Sequence, residues 1–335
     1  MLTLIVPGLI WTRQALADLT YDLPLPAFAT LLGRGRLRHC PPQDTAATLA
    51  ERTGLTAPLP AAALRWHALG QDSGLDESGY RLCLDPVRLR FEQRSLILDD
   101  PKQLHLSQDE SAALIAALAP IFSALGELEA VSPHAWNLRL HCAAPMFQEL
   151  PKAAGRSPSP LPMDDAHAPW RYAINEAQML LHTHPVNQAR EAAGQPVVNS
   201  IWPWGGGPLP APGKSTHDAL WSDDPVAKGI ARVLQIEYAA PPARFGDTKA
   251  RAPLAIIEAL EAPARTGDAV VWRDELARFE ADWLLPVLDA LRTGRLDALQ
   301  LIAPGEAGSA ELYVARHDLW RFWRKPGTLA GLARA

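Results

Sequence analysis

Cysteine is scarce in this chain, and the few cysteines are widely scattered. Cys40, Cys83 and Cys142 make an odd number and include no Cys-x-x-Cys pair. A disulfide framework needs an even number of cysteines, and a zinc ribbon needs closely spaced pairs, so neither is indicated. We therefore expect the protein to work in the reducing cytoplasm.

The chain also lacks a hydrophobic run of the roughly 20 residues that a membrane-spanning helix needs. The apolar opening MLTLIVPGLIW has no basic leader, and Pro7-Gly8 interrupts it early, so we expect a buried strand there and no membrane partner. Long blocks of lysine or arginine are missing too, and the net charge is −5. Nucleic acid is therefore not expected as the principal partner, since its binding needs clustered positive charge.

The composition that remains is that of an ordinary globular protein. Hydrophobic residues make up 48% and charged residues 21% of 335 residues. A chain of this length can bury a large core, so it forms either one α/β domain with an insertion or two domains.

Several helices and strands are predicted by hydrophobic periodicity and by capping residues. Strands are predicted at Leu2–Val6, 136–142, 269–272 and within 226–239, with hairpins at 80–99 around Gln93-Arg94 and at 299–303 with 311–315. Helices are predicted within 44–69, at 173–182, within 226–239, at 255–260, at 274–291 ending at Gly294, near Pro26 ending at Gly33 or Gly35, and after a Ser107-x-x-Glu110 capping box.

The densest local signals lie in residues 182–208, HTHPVNQAREAAGQPVVNSIWPWGGGP. His184 before Pro185 marks a helix start, because proline has no N–H to lose at the first helical position. In the short helix that follows, His184, Asn187 and Arg190 recur at every third residue. Their side chains therefore share one face and could converge on one ligand or on one neighbouring strand.

A predicted strand and a glycine-rich turn follow this short helix. The β-branched and aromatic run 197–202 indicates the strand, which ends at Trp204 and Gly205–Gly207. Glycines at the carboxyl end of a strand allow the backbone to approach a ligand. Spacing alone favours the alternative of a tight, closely packed turn, and the missing Gly-Lys-Ser/Thr ending excludes a nucleotide P-loop.

The pattern His184-Pro-Val-Asn187, then Arg190, Gly194, Asn199 and IWPWGGG at 201–207, resembles a segment of the archaeal-type cofactor-independent phosphoglycerate mutases. Those enzymes belong to the alkaline phosphatase superfamily. The WPWGGG version is more similar to a bacterial offshoot of RpfE-type regulatory or uncharacterised proteins.

Weaker similarity to the same family runs over Leu4–Leu37 and Asp223–Gly229. The resemblance implies an alkaline-phosphatase-like α/β fold, with a mostly parallel sheet flanked by helices and a small α+β insertion. We expect the core over 1–60 and 196–335, and the inserted region over 61–195 with a proline-rich loop at 151–169. The resemblance also implies a ligand site at His184, Asn187, Arg190, Asn199, Trp202, Trp204, Gly205, Gly206 and Gly207.

The metal site of that superfamily is not matched in this sequence. The family's first strand ends in Asp-Gly with a metal-ligating Asp, where this chain has Pro7-Gly8. A later acidic pair followed by a ligand His is matched by Asp274-Glu275, but Arg278 or Phe279 replaces the His. Asp274 is explained equally well as the cap of the long helix. His182 and His184 lack a nearby carboxylate cluster, so a structural role is favoured.

The resemblance and the missing ligands together favour a non-catalytic regulatory or ligand-binding protein with a degenerate metal site and no cofactor. Its partner would be a small phosphorylated or anionic ligand, or a protein. The alternative is a metal-dependent phosphoryl-transfer enzyme, either a 2,3-bisphosphoglycerate-independent phosphoglycerate mutase or a phosphatase. Its Mn²⁺ or Mg²⁺ ligands would align differently, and no catalytic residue is assigned.

A second cluster lies near the C-terminus, where basic and aromatic residues alternate in ARHDLWRFWRK. Arg316, Arg321 and Arg324 beside Trp320 and Trp323 would suit an anionic ligand or a stacked base. In the more common alternative, the tryptophans pack on the core and the arginines face solvent.

Overall fold

A computed structural model of the chain describes residues 1–70, 80–92, 95–211, 213–246 and 248–334. The structure divides into two compact units. Met1–Pro58 and Pro212–Ala335 form the first, here called the core unit, and Leu59–Ala211 form the second, here called the insert.

The helices and strands are given in chain order. The core unit begins with β1 (Leu2–Ile5), α1 (Arg13–Thr20), α2 (Pro26–Arg34), β2 (Arg36–Cys40) and α3 (Thr45–Thr53). The insert contains α4 (Ala61–Ala68), β3 (Arg81–Val87), β4 (Leu89–Glu92), β5 (Ser95–Leu98), α5 (Gln108–Phe122), β6 (Gly126–Ser132), β7 (Ala135–Leu140), α6 (Leu150–Ala153), α7 (Ala168–Thr183), α8 (Pro185–Ala192) and β8 (Ser200–Gly207). The core unit resumes with β9 (Ala219–Trp221), α9 (Pro225–Leu234), β10 (Glu237–Ala239), β11 (Pro253–Ile256), α10 (Glu261–Thr266), α11 (Ala269–Phe279), a π-helical turn (Glu280–Leu284), α12 (Leu285–Thr293), β12 (Ala298–Ala303) and β13 (Ser309–Ala315).

A seven-stranded sheet organises the core unit, in the order β10-β9-β11-β1-β12-β13-β2. The first five strands are parallel, and β13 is antiparallel to both β12 and β2. The predicted β1 is confirmed: its apolar residues are fully buried because helices cover both faces of a parallel sheet. The chain therefore has the predicted α/β architecture with a mostly parallel sheet.

The long C-terminal helix is confirmed in its buried face and differs in its start. The predicted stripe from Leu276 to Leu291 is buried, and Gly294 ends the helix in the left-handed conformation. Helix α11 begins earlier, at Ala269, because the Asp268 side chain accepts from the backbone N–H of Val271. The predicted strand at 269–272 is therefore wrong, and Asp274 lies exposed within the helix rather than capping it.

The predicted helix at 255–260 is also wrong, because Pro253–Ile256 form strand β11 between β1 and β9. All four residues are buried. A short run that is apolar on every side carries no periodicity to separate a strand from a helix.

The insert is built on a four-stranded antiparallel sheet in the order β6-β7-β3-β8. Apolar side chains of α5 and α7 pack on it together with Trp136 and Leu138. The capping box of Ser107 and Glu110 is confirmed at the start of α5. The predicted hairpin forms between β4 and β5, and its turn residues 93–94 lie outside the described residues.

Strand β8 belongs to the insert by its pairing. Residues Ser200–Gly207 pair antiparallel with β3, whereas the sequence placed the start of the core segment at 196. The boundary in the structure falls after Ala211, because the backbone hydrogen bonds of β8 are made within the insert. Among the described residues, no helix is both long enough and apolar enough to cross a membrane.

Candidate functional site

The predicted ligand-binding stretch begins with His184, which caps helix α8. Its Nδ1 lies 3.2 Å from the backbone N–H of Val186 and accepts a hydrogen bond from it. Burial lowers the pKa of His184, which favours the neutral ring that this bond requires. His182 is exposed at the end of α7. The structure thus gives His184 a capping role.

Two asparagines of the predicted set bind neighbouring backbone. Asn187 donates to the carbonyl oxygens of Leu181 and Val198 and accepts from the Val198 N–H. Asn199 accepts from the N–H of Leu89 at 2.7 Å and donates to its carbonyl at 2.8 Å. Each side chain therefore replaces a backbone partner and ties two segments of the insert together.

Arg190 is 2% exposed and uses every part of its guanidinium. It donates to the carbonyl oxygens of Pro196 and Leu104 and, at 2.8 Å, to the Glu110 carboxylate. Burial disfavours the ionised form of Glu110, but bonds from Ser107 and Arg190 outweigh it and hold the pKa of Glu110 below its ordinary value. Arg190 thus connects α8 to the start of α5.

The three glycines lie in the last residues of β8 and allow close packing. Gly205 has φ +60°, and a Cβ there would lie 2.7 Å from Cβ of Ala61 on α4. A Cβ at Gly206 would lie 2.9 Å from the Leu82 side chain, and one at Gly207 would lie 3.1 Å from Pro60. We predicted a glycine-rich turn after the end of a strand, at the position where a parallel sheet binds ligands. In the structure these glycines are part of the antiparallel strand β8, and helix α4 packs against them.

A buried polar network lies beneath Trp204, and the sequence reasoning missed it. Asp85 is 1% exposed and accepts from Arg65 at 2.8 Å, from the Trp136 backbone N–H at 3.0 Å and from the Trp204 indole at 2.8 Å. The Arg65 guanidinium also lies over the Trp204 ring. The sequence did contain a signal for this network, namely an aspartate inside an apolar strand. A buried charge requires hydrogen-bonding or charged partners, so such an aspartate predicts polar neighbours.

The other indole of the predicted set, Trp202, donates to the carbonyl oxygen of Gln148 at 2.9 Å. All the predicted ligand-binding residues therefore lie within the insert and contact other parts of it. Their role toward a ligand stays a prediction.

In an α/β fold of this kind, ligands bind beyond the carboxyl ends of the parallel strands. At the end of β1 the chain turns at Pro7 and Gly8, and Gly8 has φ +77°. A Cβ at Gly8 would lie 2.3 Å from the carbonyl oxygen of Leu260. Trp272, with no exposed surface, donates to the Gly8 carbonyl at 2.8 Å and packs against Trp11 with the two ring planes tilted by 58°. Backbone and indole therefore close the end of the central strand.

The end of β9 carries the remaining polar groups at this edge. Asp224 caps α9, as the sequence predicted, by accepting from the Val226 N–H at 2.8 Å. The Tyr238 hydroxyl donates to the Ser222 carbonyl at 2.5 Å. Burial raises the pKa of Tyr238, and the negative charges of Asp224, Asp223 and Glu258 add to that effect.

The residues at this edge do not fit a two-cation phosphotransferase site, which needs several aspartate and histidine ligands. The three residues after each of the parallel strands β9, β11, β1 and β12 include four carboxylates, Asp223, Asp224, Glu258 and Glu306, and no histidine. Throughout the part of the chain that the structure describes, no three His, Cys, Asp or Glu side chains form a group that could hold a metal.

The basic and aromatic cluster near the C-terminus does not pack its tryptophans on the core. Trp320, Phe322 and Trp323 are 76%, 75% and 70% exposed, whereas Leu319 is buried. The expectation that both tryptophans pack on the core is therefore wrong. The inward positions next to them are occupied by Leu319 and by Asp318, whose buried carboxylate forms an ion pair with Arg321 at 3.0 Å.

Two solved structures resemble the whole chain in fold. A cofactor-independent phosphoglycerate mutase from Thermoplasma acidophilum DSM 1728 has a TM-score of 0.51 and 15% identity, over 98% of this chain and 93% of that one. The PH0037 protein from Pyrococcus horikoshii has a TM-score of 0.61 and 14% identity, over 98% and 91%. No family model and no curated protein matches the chain. At these identities the likeness shows a phosphoglycerate-mutase-like fold alone.

Proposed function

We propose that this chain is a non-catalytic relative of the phosphoglycerate mutases, a cytoplasmic regulatory protein of the RpfE type that acts by binding rather than by turnover. Its partner would be a small phosphorylated or anionic ligand, or a protein. The closed end of β1 supports this proposal most strongly. Where the enzymes that this chain resembles have a metal-ligating aspartate, the Pro7 side chain offers no donor atom, and the Trp272 indole donates to the Gly8 carbonyl.

The lack of companion ligands explains why a single substitution would not restore a metal site. Among the described residues no three His, Cys, Asp or Glu side chains form a group that could hold a metal, so a carboxylate placed at residue 7 would stand alone. Electrostatic stabilisation of a transferring phosphoryl group requires preorganised cations or donors at the reacting oxygens. The residues at this edge do not supply such donors.

We further propose that the polar side chains of residues 184–207 have a structural role, in which they connect separate segments of the insert by hydrogen bonds. Asn187, Arg190 and Asn199 are bonded to backbone or to Glu110. An anionic ligand at Arg190 would have to displace Glu110 and two carbonyl groups, and the lost hydrogen bonds would offset most of the gain. A ligand therefore binds elsewhere on the protein.

The test of the proposed function is a turnover assay on the purified full chain supplied with Mn²⁺. Interconversion of 3- and 2-phosphoglycerate and hydrolysis of p-nitrophenyl phosphate would both be followed. The T. acidophilum enzyme would serve as the positive control. We expect no rate above that of a preparation from cells without the expression plasmid. Turnover that disappears with a chelator and returns with Mn²⁺ would establish the metal-dependent alternative.

A further inference from the structure

The exposed aromatic residues near the C-terminus are presented by a fixed segment, Arg316–Lys325, here called the aromatic–basic segment. Arg34 on α2 donates to the Leu319 carbonyl at 2.7 Å. A Cβ at Gly33 would lie 2.3 Å from the Lys325 carbonyl oxygen, so the backbones touch there. Just beyond the segment, the Gly327 N–H donates to the Ala29 carbonyl at 2.8 Å. The rings therefore project from a backbone that α2 holds at both ends.

The exposed surface of this segment combines apolar area with positive charge. Three large rings lie within four residues, and Phe322 and Trp323 pack edge to face at 5.4 Å. The segment contains four Lys or Arg residues and one acid, Asp318, and that acid is buried. Exposed basic side chains on the segment are those of Arg316, Arg324 and Lys325, and the exposed Arg36 on β2 lies over the Tyr313 ring and 3.9 Å from the Asp318 carboxylate. An apolar patch rimmed by cations in a chain of net charge −5 marks an interaction site.

We propose that the aromatic–basic segment docks this protein onto an anionic lipid surface. Indole and phenyl rings partition into the headgroup region, where an apolar body and a polar edge are both satisfied. Lysine and arginine beside them add attraction to anionic headgroups. A planar surface requires only that the groups point outward together. The prediction of no membrane partner rested on the missing membrane-spanning run, and peripheral docking needs none.

Two other occupants fit the surface less well. In a symmetric dimer, the same patch would face itself and bring Arg316, Arg324 and Lys325 against their own copies. Single-stranded nucleic acid binds through open ring faces in a basic groove. Here the edge of one ring covers a neighbouring face. This inference is independent of whether the core unit has catalytic activity.

Vesicle co-sedimentation of the full chain tests the proposal. Phosphatidylcholine vesicles would be compared with vesicles containing about one third phosphatidylglycerol, at about 0.1 M salt, where screening acts beyond about 10 Å. We expect binding to the anionic vesicles. The triple variant W320A/F322A/W323A should reduce the partition coefficient about tenfold or more. R316Q/K325Q should reduce it about tenfold on anionic vesicles and leave the weak binding to phosphatidylcholine unchanged.

Matched controls separate this surface from general stickiness. Tyr21→Ala removes an aromatic ring that is 83% exposed elsewhere on the core unit. R13Q/K228Q removes two exposed positive charges outside the segment. Both controls should bind as the wild type does, and thermal unfolding should confirm that every variant is folded. The proposal would be overturned if the wild type did not sediment with anionic vesicles, or if the control variants lost as much binding as the segment variants. It would also be overturned if the wild type, without binding vesicles, bound an oligothymidylate or self-associated, and the triple variant abolished that interaction.

Discussion

Arg190 shows how the same side chain can suggest a ligand site in a sequence and serve as a structural tie in a fold. Its spacing correctly places Asn187 and Arg190 on one helix that His184 caps. Spacing does not reveal partners that are distant in sequence, and Glu110 and Leu104 are 80 and 86 residues away. The site prediction was thus limited by long-range contacts that no local pattern encodes.

We expect Arg190→Ala to destabilise the protein by about 3 kcal/mol or more, because it strands Glu110 and two buried carbonyl groups. Chemical denaturation would measure the change. Arg139→Ala is the matched control, since it removes an exposed ion pair with Glu127 in the same insert, and should cost at most about 1 kcal/mol. Unchanged stability of Arg190→Ala, together with lost binding of inorganic phosphate, would favour the ligand role instead.

Alanine substitutions at Gly205 and Gly194 separate the energetic cost of a steric overlap from the cost of a left-handed backbone conformation. Both have positive φ, but a Cβ at Gly194 would meet open space, whereas one at Gly205 would meet Ala61. Gly194→Ala should cost about 1–2 kcal/mol for the left-handed conformation. Gly205→Ala should cost about 1–3 kcal/mol more because of the added overlap.

The same denaturation measurement can include the double variant G205A/A61G, which should recover part of that extra cost. If Gly194→Ala and Gly205→Ala prove equally stable, the glycine-rich run is not maintained by its packing against α4.

At the level of whole elements, the sequence predicted those with a strong internal signal. Helix α5 has a capping box, and the helix through Leu276 and Leu291 has a wide apolar face, so both could be recognised. Strand β11 and the first turn of α11 could not, because Pro-Leu-Ala-Ile and Ala-Val-Val-Trp are uniformly apolar. Pairing with β1 and β9, and the Asp268 cap, decide these segments.

Helix α2 depends on a cap from a distant part of the chain. Its own N-cap, Leu25, makes no side-chain bond, and the buried Glu280 accepts from the N–H groups of Ala27 at 2.6 Å and Phe28 at 3.1 Å. Glu280 opens the π-helical turn between α11 and α12. Burial raises the pKa of Glu280 despite these two bonds, which act to lower it. The folded state therefore holds a proton on this carboxyl more tightly than the unfolded state does.

This shift predicts how stability depends on pH. Because the folded pKa of Glu280 is raised, its contribution to stability is full below the ordinary value of 4.5. That contribution falls as pH rises through the folded pKa. Glu280→Gln does not titrate, so the unfolding free energy of the wild type should decline relative to this variant as pH rises above the ordinary value of 4.5. Urea denaturation at several pH values measures the difference. A gap that widens in favour of the wild type would contradict the assignment.

On the scale of the whole molecule, a phosphoglycerate-mutase-like fold is present although identity to the solved structures is 14–15%. Such a fold can be kept while its sites change, because the sheet depends on buried apolar strands and the site on a few side chains at strand ends. The mostly parallel sheet was predictable from resemblance and from the apolar β1. The pairing of β8 within the insert was not, since strand pairing between distant segments leaves no local signature.

The central proposal is that the carboxyl end of the core sheet is closed by packing and binds no pair of cations. Calorimetric titration of the full, chelator-treated chain with Mn²⁺ at neutral pH tests this most directly. We predict no saturable binding at a stoichiometry of two ions per chain. Saturable uptake of two ions per chain that is lost when Asp223, Glu258 and Glu306 are replaced by their amides would contradict the account.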